Sequence, residues 1–167
     1  MPAAIEHRVR AYWEKCGAEP RAGIGADDIA AFEARHGMSL SHSVASFYRA
    51  VNGTVESDSE VFTAWPFSEV GTVRDVVAPY RGIPDYGRIC ELLADSGDYF
   101  AFADCMIWSQ VLAVRLRPKL ASTEVIWISG ATYAIVAPTF EEFWERYLRN
   151  PVPVLWATLA DIETLAG

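Results

Sequence analysis

The residue types that do chemistry are sparse in this sequence, and none falls into a known catalytic spacing. The three histidines are His7, His36 and His42. No pair has the HxH or HExxH spacing that sets two imidazoles on one metal. His36 stands directly before a glycine that ends a helical pattern, which is a packing or capping position, and His7 lies off the apolar face of its helix. Cys16, Cys90 and Cys105 are far apart and include no CxxC pair, so neither a zinc knuckle nor a disulfide framework is expected. A buried free cysteine behaves as a small hydrophobe. Asp95, Asp98 and Asp104 gather around SGDYFAFAD. Two carboxylates at a set separation, one with a raised pKa, are what glycoside hydrolysis needs. Acids beside strands are also an ordinary surface pattern. Gly23-Ile24-Gly25 lacks the third glycine and the preceding strand of a dinucleotide loop. The chain therefore reads as a non-enzyme with no catalytic residue, no metal and no cofactor.

Charge carries more information than any motif. The chain has 167 residues and a net charge of −8, with 51% hydrophobic residues. Between Thr54 and Cys105 ten acids face only Arg74, Arg81 and Arg88, so this segment holds nearly all of the imbalance. Affinity for nucleic acid comes mainly from Lys and Arg on phosphates, so no nucleic-acid partner is expected. No polybasic membrane contact is expected either, and no run of 18 apolar residues spans a bilayer. An acidic face suits a basic protein, with steered association. Aromatics in the same segment, Trp65, Phe67, Tyr80 and Tyr86, are of the type that anchors interfaces. The candidate partner-binding residues are Glu56, Asp58, Glu60, Trp65, Glu69, Asp98 and Asp104, with Trp65 at least partly buried.

The elements that position these residues follow from hydrophobic spacing. Ile5, Val9, Tyr12, Trp13 and Cys16 form one helical face, ended by Gly17 and Pro20. AEPRAGIGA reads as a loop. A second helix starts near Asp27, carries Ile29, Phe32 and His36 on one face and stops at Gly37. A third starts near Ser41 or Ser43 and is closed by Asn52-Gly53, both tolerant of positive φ. Short β-rich runs follow at 61–65, 99–103, 111–116, 124–128 and 133–137, with a turn at Gly130. Residues 71–98 hold several Pro and Gly and give no clear pattern beyond a helical turn at 88–94. Thr139-Phe140-Glu141-Glu142 has the form of a capping box for a helix stopped by Asn150-Pro151. The tail offers Trp156, Leu159 and Ile162 for one more docked helix. Length suits one domain spanning 1–167, with roughly 8,200 Å² of folded surface. The fold class is α+β: N-terminal helices and a C-terminal helix packed on a mixed, mostly antiparallel sheet. The first fifteen residues contain no continuous apolar run, and the protein is expected to be cytoplasmic with reduced thiols.

The stretch IAAFEARHGMSLSHSVASFYRAVNG is similar to the signature of the SUKH superfamily, at Phe32-Glu33, His36-Gly37, Leu40, Phe47-Tyr48 and Asn52-Gly53. Tyr99-Phe100-Ala101-Phe102-Ala103-Asp104 resembles that family's strand ending in a small residue and Asp. Ala137–Phe143 with Tyr147-Leu148 resembles its closing helix, and Phe62, Trp65 and Pro66 fit its middle. The resemblance spans about 25–150. Ser41 stands where the family usually has Pro. Cys105-Met106-Ile107-Trp108 stands where a Gly often follows the Asp.

The resemblance implies helices on a mixed sheet and a binding role. Bacterial members of the superfamily neutralise toxin domains, often nucleases or deaminases. The expected function is a bacterial immunity protein that binds a cognate toxin stoichiometrically. The alternative is a regulatory or scaffold module for a cellular protein. Oligomeric state is not encoded in any pattern found.

Overall fold

The computed structural model describes residues 1–117, 123–156, 160 and 162–164. Helix α1 (Ile5–Cys16) buries Val9 and Trp13 and ends at Gly17, left-handed at φ 76. Strand β1 (Pro20–Ala22) follows, then α2 (Ala26–His36) and α3 (His42–Ala50). Ser41 caps α3 by accepting from the Val44 N–H, so serine serves where a proline would otherwise start the helix.

Two local expectations are corrected here. The loop at Pro20–Ala22 is a strand, paired antiparallel with β2 (Val51–Thr54). Asn52-Gly53 therefore lies within β2 and does not close α3. Gly53 does sit at φ 73, and a Cβ there would run into the Ala64 and Trp65 carbonyls. The Asn52 Oδ1 accepts from the Phe67 N–H at 2.6 Å. The chain turns directly from helix to strand because β2 must pack close under β3 (Phe62–Ala64).

The main sheet has the order β3-β5-β6-β7-β8-β9, with β4 (Gly71–Thr72) pairing further along the same edge of β5 (Tyr99–Cys105) as β3. Strands β6 (Gln110–Arg115), β7 (Val125–Ser129) and β8 (Thr132–Ala137) form a meander. The short β9 (Glu163–Thr164) pairs with β8. Every strand pairing among the described residues is antiparallel, so the expected mixed character is not found there. The five β-rich runs each become a strand, and Gly130 turns between β7 and β8 at φ 57.

The strands read as nearly continuous hydrophobic runs because both faces of the sheet are covered. On one face Phe100, Phe102, Leu112, Val114 and Trp127 pack against α1, α2, α3 and α5 (Phe140–Arg149). There Trp144 of α5 stacks on Phe47 of α3 at 4.6 Å. On the other face Ala101, Val111, Ala113, Ile126 and Ile128 pack against Trp65, Val73, Val77, Tyr86, Ile89 and Leu93. The pattern-poor stretch 71–98 is thus the second cover. It contains β4, a π-helical turn at Val73–Val77 and the short helix α4 (Ile89–Leu92).

Thr139 caps α5 by accepting from the Glu142 N–H at 3.0 Å. The Glu142 side chain turns to Arg146 instead of back to the cap, so half of the expected capping box forms. The tail helix α6 is Val152–Leu155, ahead of Trp156. Ile162 packs partly on the core, and Leu159 lies outside the described residues. The surface area is 8207 Å², as expected of a compact chain of this length.

Candidate functional site

A cleft of about 410 Å³ opens on the second face, between β2, β3 and the turn joining β5 to β6. Its floor and walls include Thr54, Thr63, Trp65, Pro66, Val76, Asp104 and Trp108, and Arg21, Val55 and Glu69 lie at the exposed rim. Three of the sequence-derived candidates meet here: Trp65, Glu69 and Asp104.

A β-bulge places the carboxylate. Between Ala101 and Ala103 the β5–β6 register slips by one residue. Before the slip Tyr99 and Ala101 face the second cover, and Phe100 and Phe102 face the helices. After it Ala103 and Cys105 face the helices. Asp104 is thereby directed to the side of Trp65. Its Oδ2 accepts from the Trp65 indole Nε1 at 2.6 Å, and its Oδ1 accepts from the Trp108 backbone N–H at 3.2 Å. Asp104 is only 7% exposed, and burial pushes its carboxyl above the ordinary aspartate value. The two hydrogen bonds pull in the opposite direction.

The rings form a pile. Trp65 stacks on Trp108 at 5.1 Å, and Trp108 stacks on Tyr80 at 4.8 Å. Tyr86 donates its hydroxyl to the Trp108 carbonyl at 2.6 Å. The pile fixes a turn in which Met106, Ile107 and Trp108 all have positive φ, at 49, 50 and 66. These are the residues that stand where a glycine often follows the Asp in the resemblance described above. A left-handed conformation costs an ordinary L-residue roughly 1–2 kcal/mol, and a β-branched residue such as Ile107 tolerates it least. The turn nonetheless presents Ile107 to solvent at 90% exposure and Met106 at 48%. Val61 and Val55 are exposed nearby, and the Met106 N–H bonds to the Val61 carbonyl. Four of the exposed large hydrophobics therefore collect at one end of the sheet beside the cleft. Glu56 and Glu69 are exposed around them and Glu60 is half-buried.

The other candidates are placed differently. Asp58 is corrected from a surface contact to an interior one. It is 6% exposed, its Oδ1 accepts from the Glu60 and Phe62 N–H groups, and its Oδ2 accepts the Tyr147 hydroxyl. Tyr147 in turn accepts from the Trp13 indole at 2.8 Å. Asp58 ties the acidic loop to α1 and α5 because loop backbone donors left inside need an acceptor. Trp65 is buried and lines the cleft. Asp98 directly precedes β5 and Asp104 nearly ends it, about 20 Å apart along an extended strand. Asp98 thus does not join the cleft. Sequence reasoning missed Trp108, Ile107 and Thr54. A Trp in an apolar run carries no local mark of its turn, and the missing glycine was the only hint.

Among the described residues no three His, Cys, Asp or Glu side chains gather as a metal site would require. His36 packs between Phe32 and Phe100, at 4.4 and 5.0 Å. Burial first, then the charge of Arg117, lowers its pKa. No described helix is long and apolar enough to cross a membrane.

Helices on one face of an antiparallel sheet and irregular chain on the other, with a carboxylate-floored aromatic cleft at one end, define an α+β domain. The family comparison makes this specific: residues 23–146 match the SMI1 / KNR4 family (SUKH-1), and the chain belongs to that family. No curated protein sequence matches the chain.

Proposed function

We propose that this protein is a cytoplasmic immunity protein. It binds a cognate toxin domain with a basic surface, in a stoichiometric complex without catalysis. Family membership supports a binding or regulatory role in general. The observation that carries the finer reading is the end of the sheet at the β5–β6 turn. A strained turn presents Ile107 and Met106 beside Val61, with Val55 and Glu69 at the rim of the adjoining cleft and Glu56 and Glu60 next to the two valines in the chain. Apolar anchors within a charged rim are the anatomy of a protein interface. The stacking of Trp108 and its two backbone hydrogen bonds hold the turn, and the exposed Ile107 and Met106 that it carries are surface for a partner to cover. The acidic rim steers a basic protein to this face. The test is co-expression with the product of the adjacent gene, scored for growth and for a co-purifying complex. A tight 1:1 complex that rescues growth is expected. No complex and no toxicity would overturn the immunity reading in favour of a regulatory module.

A further inference from the structure

Asp104 is an ionisable group buried without a counter-ion. Among the described residues no Lys, Arg or His forms an ion pair with it. Its donors among the described residues are one indole and one backbone N–H, and a carboxylate has about four acceptor positions. An unpaired buried charge is expensive, so its retention calls for a role. A second, independent mark lies in the same cleft. Thr54 lines it at 1% exposure, and its hydroxyl has no hydrogen-bond partner. Buried hydroxyls are normally satisfied, so this one is an orphaned polar group in the cleft wall. The walls between these two polar atoms are the indoles of Trp65 and Trp108, with Pro66 and Val76.

Resting on the partner-binding reading above, we infer that this cleft receives a basic side chain of the bound protein, arginine in preference to lysine. The cationic head pairs with Asp104 and donates to Thr54 once rotation about χ1 turns that hydroxyl into the cleft, and the aliphatic stem lies along the indole edges. Arginine is preferred because a planar guanidinium offers five donors in a fixed fork, enough to reach the carboxylate and the hydroxyl together. An ammonium satisfies the charge with fewer fixed directions. Arg21 also lines the cleft, but it is exposed and screened by water. The Asp104 charge sits in the low-dielectric interior and dominates the field at the floor. Glu69 at the rim adds to it.

The test is an NMR titration of the full chain with the tripeptide Ac-Gly-Arg-Gly-NH2, against the citrulline peptide of the same shape and no charge. The readouts are the Trp65 indole N–H and the Trp108 amide. The arginine peptide is expected to shift both saturably, and the citrulline peptide to bind at least tenfold more weakly. Asp104→Asn, with its dispersed amide spectrum as the folding control, is expected to lose at least tenfold. Thr54→Val, which keeps the shape, is expected to lose severalfold and serves as the readout should Asp104→Asn fail to fold. Equal binding of the two peptides, or no shift at either group, overturns the proposal. The co-expressed complex separates the two readings. A complex unaffected by Asp104→Asn, with no response to the arginine peptide, rejects the cleft proposal and leaves the function. A response to the arginine peptide without any complex supports the cleft chemistry and rejects the immunity reading.

Discussion

Tyr147 stands between two buried partners, accepting from the Trp13 indole and donating to Asp58. Phenylalanine at this position would leave an indole N–H and a carboxylate oxygen unpaired inside the protein. Tyr147→Phe is expected to lower stability by about 2–3 kcal/mol, read from urea unfolding. A loss under about 0.5 kcal/mol would mean that water replaces the hydroxyl. At Asp104 the sign is set by burial. Its folded-state pKa lies above the ordinary value, so the unfolded chain gives up its proton first as pH rises. The native state is favoured most below the ordinary value, and that advantage disappears as pH climbs through the raised one. Asp104→Asn is therefore expected to gain stability relative to wild type as pH rises above the ordinary aspartate value. A difference that stays flat, or moves the other way, would show that the carboxylate is not desolvated. At this scale the sequence was only half legible. Glu56, Glu60 and Glu69 remain outside and Trp65 and Asp104 meet, but Asp58 and Glu56 look alike until the loop donors that claim Asp58 are seen. Thr54 gave no signal, because an unmade hydrogen bond is a property of a neighbourhood.

The element that matters most is the turn between β5 and β6. Ile107 is β-branched, left-handed and almost wholly exposed. Ile107→Gly is expected to raise stability by about 1 kcal/mol, because glycine takes positive φ without strain. The same change removes an apolar anchor and is expected to weaken partner binding about tenfold or more, measured by titration calorimetry. A destabilised variant would contradict the strain argument, and unchanged affinity would place the interface elsewhere. Helices α1, α2, α3 and α5 were legible because an amphipathic period of 3.6 and a capping residue act locally. The strands were legible from their β-branched and aromatic runs. The second cover at 71–98 was not, since its short turns owe their conformation to the sheet beneath them. The runs in β5, β6 and β7 did imply it, because a strand buried on every residue needs a layer on each face.

For the molecule as a whole, the proposed function implies that the acidic residues and net charge of −8 govern encounter more than affinity. Reversing Glu56, Glu60 and Glu69 to lysine is expected to slow association with the basic partner by about tenfold or more at low salt. It should also flatten the dependence of the on-rate on ionic strength, with dissociation changing little. An unchanged on-rate in stopped flow would remove the rim from the encounter. The central claim is that this protein meets its partner with the cleft and the β5–β6 turn. Hydrogen–deuterium exchange on the complex tests it most directly. The account predicts slowed exchange at residues 54–62 and 104–109 on binding, with the outward faces of α1 and α5 unchanged. Protection on those helices, with the cleft and turn exchanging as in the free protein, would contradict it.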